Sequence, residues 1–246
     1  MGQVAVARST RPRSIKALAA SYVDQYIAEK KWKSLQDIRL DIQDLYEMIL
    51  YPEHEYRMIS GVPLGYHEDE KVLGKTIPDE KLILIDDSIS PPHRDPRHVS
   101  TAAHEWGHAI FHAGRTELFR CSKRQVFDAS EDLERQANSF FEHLLMPDDL
   151  VKAQFYECYQ PTTPFRYLGR RDYYFNAFGG SRRLLIDSYT EFCRALAYPL
   201  TPYFSRVSKS SLGLKFHKLG LVQNFTSERI FAETTHIGYI IREMQQ

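Results

Sequence analysis

Residues 98–113 read His98-Val99-Ser100-Thr101-Ala102-Ala103-His104-Glu105-Trp106-Gly107-His108-Ala109-Ile110-Phe111-His112-Ala113. Ala102, Ala103, Trp106, Ala109, Ile110 and Ala113 give a helix in this stretch a face to bury, while Thr101, His104, His108 and His112 fall along another stripe. Two histidines four positions apart on a helix are separated by ~6 Å of rise and project from one face. Both imidazoles can therefore reach a single zinc ion at about 2 Å each. Glu105 lies beside that face without joining the coordination, placed to take a proton from a metal-bound water. His112 lies ~12 Å along the helix from His104, too far for one ion to meet all three rings. Its expected place is behind the ligands or at the helix end. The His-Glu-x-x-His pattern is short and also arises by chance, so its surroundings must decide.

A third ligand has to come from elsewhere. A second helix is expected over about residues 130–145, stopped by Pro147, and it offers Glu131, Asp132, Glu134 and Glu142. Asp132 shares a face with Gln136, Ser139 and His143, and Glu131 with Arg135, Asn138 and Glu142, whereas Glu134 shares its face with Ala137, Phe141 and Leu145. A carboxylate on an apolar face is costly unless it is paired or binds a metal. Glu134 is the candidate on that ground, with a salt bridge to a buried arginine as the alternative.

Around these helices, residues 1–13 read as a flexible, arginine-rich leader. Residues 14–154 read as the catalytic domain including N-terminal helices, 155–180 as an aromatic-rich insertion or linker, and 181–246 as a helical C-terminal region. Helical spacing runs through Ile15, Leu18, Ala19, Tyr22 and Tyr26, and again through Ile42, Leu45, Tyr46, Ile49 and Leu50, where Pro52 is expected to end the helix. Tyr56–Ile59 and Lys81–Ile85 are β-prone and set between glycines and prolines, predicting a small, mostly antiparallel sheet. The aromatic segment 155–178 fits neither period and reads as a packed irregular insertion, or else as a cleft lining. The fold class is thus α+β.

Lysine and arginine number 32, and so do aspartate and glutamate, which gives the chain as a whole no electrostatic case for a nucleic-acid or membrane partner. Cys121, Cys158 and Cys193 are far apart and odd in number, predicting free, partly buried thiols in a reducing compartment. No apolar run approaches the ~20 residues of a membrane span. The N-terminus lacks a signal-peptide core, and a cytoplasmic location is expected.

Arg97 and Thr101 stand seven and three residues before His104, with Ala103 and Gly107 around the histidines, and Glu134-Arg135-Gln136-Ala137-Asn138-Ser139-Phe140 runs on to Leu144-Leu145-Met146-Pro147. These two blocks together resemble the ImmA/IrrE family of metallo-endopeptidases, in its Arg…Thr-x-Ala-His-Glu-x-Gly-His stretch and its Glu-x-x-Ala-Asn-x-Phe helix ending in Leu-Leu-Met-Pro. The resemblance is strongest over about residues 81–147. It implies a zincin-like core with a small antiparallel sheet and an active-site helix. It also implies Zn2+ held by His104, His108 and Glu134, with Glu105 as general base. Lys81–Asp86 would be the strand before the active-site helix, with an edge open to an extended peptide. Ser100, Phe141 and Glu142 depart from the family pattern, so packing behind the site differs.

Members of that family cut, or cause the cutting of, helix-turn-helix transcriptional repressors in mobile elements or stress responses. The resemblance therefore implies a protein substrate of that kind. Residues 207–221 resemble the family's helix-turn-helix-like segment, in which Lys209, Lys215, His217 and Lys218 could contact phosphates. A small helical module packed on the protease is preferred to DNA contact, because Gly213 weakens the helix and the basic cluster is small. The rival function is a non-proteolytic regulator that binds a repressor or DNA through this region.

Overall fold

The computed structural model describes residues 14–67, 69–91, 95–113, 119–122 and 131–230; the expected leader at 1–13 and the last residues of the C-terminal region lie outside this set. The helices used below are α1 (Ile15–Lys30), α2 (Pro96–Phe111), α3 (Glu131–Leu145), α4 (Asp148–Tyr159), α5 (Tyr189–Ala197) and α6 (Lys209–Lys218). The main sheet holds β1 (Arg57–Val62), β2 (Tyr66–His67), β3 (Glu70–Ile77), β4 (Leu82–Asp86) and β5 (Phe119–Ser122). The expected α+β architecture is present: the sheet lies on α2, α2 packs on α3, and α1 covers α3 from another side.

Pairing follows the order β1-β4-β3-β2, with β5 also on β3. β2–β3, β3–β4 and β3–β5 are antiparallel as expected, but β1 and β4 run parallel, making the sheet mixed. The chain leaves β1, turns back through β3, and returns in the original direction as β4. The expectation of an open edge at 81–86 is corrected here, because β4 is flanked by β1 and β3.

Pro52 does not end its helix. A helical run continues from Ile42–Leu45 through a π turn at Tyr46–Leu50 to Tyr51–His54. The Tyr51 N–H reaches back to the carbonyl of Tyr46, and this wider turn relieves the clash a proline makes with the preceding turn. The segment expected to be irregular is also ordered. α4 extends to Tyr159, and β7 (Arg171–Ala177) and β8 (Gly180–Ile186) form an antiparallel hairpin, while the short strands β6 (Phe165–Tyr167) and β9 (Val222–Asn224) pair in parallel. Aromatics at 155–175 pack with one another and with Phe192 and Phe216. One apolar core runs through all of these parts.

The backbones of the two site helices approach closely. A Cβ on Gly107 would stand 2.7 Å from the Cα of Ala137, so only glycine and alanine let α2 and α3 meet at this distance. Gly107→Ala should gain about 1 kcal/mol of helix propensity. Overpacking against a backbone atom costs typically 1–3 kcal/mol, and it should win. A lower urea midpoint with an unchanged m-value is the expected result, and an unchanged or raised midpoint would refute the close-packing account.

Candidate metal centre

α2 begins where Asp95 accepts a hydrogen bond from the Arg97 backbone N–H and Pro96 occupies the first turn. The Arg97 side chain returns to the same carboxylate. Further along, Trp106 is fully buried, its ring against those of Tyr46, His54 and Tyr56. This anchors the helix on one face and turns His104 and His108 to the other, toward α3. The helix stops at His112, whose backbone N–H bonds the His108 carbonyl.

The Nε2 atoms of His104 and His108 are 3.0 Å apart. Glu134 reaches both, with Oε2 3.0 Å from His104 Nε2 and Oε1 3.1 Å from His108 Nε2. One donor atom from each of the three lies within 4.8 Å of the others, and all three residues are buried. The opposite ring nitrogens are engaged as well. His104 Nδ1 is 2.9 Å from Asn138 Oδ1, and His108 Nδ1 is 3.0 Å from His112 Nδ1. Two imidazole nitrogens and one carboxylate, each ring held from behind, match the donor set of a catalytic zinc site with a position left open.

Residues 68–166 match the family model of the IrrE N-terminal-like domain, a metallopeptidase family. Over this segment the chain is similar to IrrE N-terminal-like domains. Among curated proteins, none matches the chain significantly.

Within this segment the electrostatics follow from burial. Burial disfavours charge on His104, but Glu134 outweighs it and raises its pKa. His108 is lowered to about 4, chiefly by burial and by the neighbouring His104, against the pull of Glu134. Burial also opposes charge on Glu134, yet the two histidines hold its pKa well below the ordinary carboxylate value. Glu105 is fully buried, and desolvation pushes it up to about 7 despite His104 and a hydrogen bond from Thr76.

Sequence reasoning placed His104, Glu105, His108 and Glu134 in one region, and the structure brings them together. Asn138 stands in the second helix without a role in that reasoning, and Thr76 is not singled out by it. Asn138 had a signal, since it lies four residues after Glu134 on the same helix. Thr76, on β3, had none.

Two lysines of the α6 basic cluster pair within the molecule. Lys215 is buried, with Nζ 3.0 Å from Glu142 and 2.5 Å from Asp148, and Lys218 also pairs with Glu142. These charges are spent inside the molecule, and His217 Nδ1 lies 2.8 Å from the Tyr189 hydroxyl. Gly213 has a packing reason, because a Cβ there would meet the Cys193 backbone at 3.0 Å. Cys158 and Cys193 are buried free thiols pushed up to about 12 by burial; the Cys121 side chain lies outside the described set. Among the described residues, no helix is long and apolar enough to cross a membrane.

Proposed function

We propose that the protein is a zinc-dependent endopeptidase in which His104, His108 and Glu134 hold the metal and Glu105 is the general base. The observation that carries this reading is the convergence of three buried donor atoms within 4.8 Å, beside a carboxylate outside the set. When bound, zinc would supply Lewis acidity toward the scissile carbonyl and an acidified water. The remaining work falls to the chain. Glu105 sits where burial favours its proton, so it can take one from water and return it to the leaving amine. Asn138 and His112 hold the ligand rings in orientation.

The resemblance to ImmA/IrrE endopeptidases supports a helix-turn-helix repressor as the substrate, in a stress response or mobile element, and a cytoplasmic setting. The rival in which α6 grips DNA loses support from the internal pairing of Lys215 and Lys218.

Chelation should abolish hydrolysis of a candidate repressor, and one equivalent of zinc should restore it. Glu134→Ala should weaken zinc binding by more than the roughly 10–100-fold lost when a ligand's supporting partner is removed. Full affinity in Glu134→Ala, measured by competition with a chromophoric chelator, would move the third ligand elsewhere. Chelator-insensitive hydrolysis would end the zinc reading.

A further inference from the structure

The carboxylate of Glu105 is seated by a strand. Gly74 and Thr76 are two residues apart on β3 and share one face of it. Thr76 Oγ1 lies 2.5 Å from Glu105 Oε2 and 3.1 Å from the Glu105 carbonyl oxygen. A hydroxyl has a single proton to donate, and a short contact to a charged oxygen is the stronger use of it. A Cβ on Gly74 would fall 2.6 Å from Glu105 Oε1 and 2.9 Å from its Cγ, so the glycine leaves the space that the carboxylate fills. Oε1 is buried and has no hydrogen-bond partner among the described residues.

The two oxygens are therefore unequal, one tied to β3 and the other unclaimed. We propose that Thr76 is a positioning residue: its hydroxyl anchors Oε2 and so fixes the orientation of the carboxylate that takes the water's proton, while Gly74 provides the room. This rests on the general-base role of Glu105 given above. Without the anchor the carboxylate is free to rotate about its last bond, and the proton-accepting atom leaves its place.

The test compares zinc-loaded wild type with Thr76→Val, which keeps the shape and removes the donor, and Thr76→Ser, which keeps the donor. With fluorescein-labelled casein as probe, Thr76→Val should lower kcat by about 10²-fold, the cost of a misplacement near 1 Å. KM should stay nearly unchanged, and Thr76→Ser should recover most of kcat. Adding Thr76→Val to Glu105→Gln should produce no further loss. A second readout needs no turnover. Crystal structures of wild type and Thr76→Val should show Glu105 Oε2 moved away from residue 76, with zinc affinity unchanged.

Wild-type kcat in Thr76→Val, where Glu105→Gln is inactive, would overturn the proposal. So would a Glu105 carboxylate that keeps its position in the Thr76→Val crystal. If Glu105→Gln retains full activity or casein is not cut, the base reading is what fails or goes unaddressed by that probe. The crystal comparison then still decides whether Thr76 holds the carboxylate.

Discussion

Glu105→Gln is expected to bind zinc as wild type does and to lose about 10³-fold in hydrolysis, within the range general acid–base catalysis supplies. The substitution preserves size and the oxygen that Thr76 addresses. It removes only the capacity to take up a proton. Because Glu105 lies outside the His104–His108–Glu134 group, metal content should not change. Zinc stoichiometry by atomic absorption and hydrolysis of the candidate repressor must be read together. A cut that persists at the wild-type rate in zinc-replete Glu105→Gln would remove Glu105 from the mechanism.

The second large effect concerns stability. Lys215→Met should destabilise the protein by about 3 kcal/mol, the low end of the cost of breaking a buried ion pair from one side. Methionine keeps most of the apolar stem, so the loss reports the charge. The low end is expected because Lys218 remains on Glu142 and Lys16 on Asp148.

A pH signature distinguishes this from lost packing. Burial raises the pKa of Asp148 and Glu142, but their lysine partners prevail: both are lowered in the folded state, Asp148 to about 2. Lowered carboxylate pKa values contribute stability that is complete above the unfolded values near pH 4 and lost as pH falls toward 2. The difference between wild type and Lys215→Met should therefore shrink between about pH 5 and pH 2. Urea melts across that window check it, and a constant difference would assign the loss to packing.

How far the sequence announced this site depends on the range of the forces involved. His104, Glu105 and His108 are legible because helical periodicity is local, and Glu134 because an acid among Ala137, Phe141 and Leu145 needs a partner. The partner it has is the histidine pair, and among the described residues no arginine takes that role. Thr76 meets Glu105 only after β3 has folded onto α2, and no period in the chain joins the two positions. In the sequence Lys215 stands only among residues that could contact phosphates, since basic residues are mostly exposed. Its burial depends on Glu142 and Asp148 arriving from another part of the chain. The parallel entry of β1 was hidden for the same reason, since pattern reveals a strand but not its neighbour's direction. The hairpin at 171–186 escaped because the exposed Tyr174 of β7 is as aromatic as its inward neighbours Tyr173 and Phe175, and β8 is exposed at every residue but Ile186.

The parallel pairing of β1 with β4 also bears on what can be excised from this chain. The segment that matches the family starts at residue 68, after α1 and β1. Cut there, it would bare one flank of β4 and the surface of Phe140 that meets Tyr22, together with the ring faces that Tyr46 and Tyr56 present to Trp106. The matched stretch thus leaves out residues that cover its own core. A fragment trimmed to the matched boundary should aggregate, while one begun at Ser14 keeps that cover.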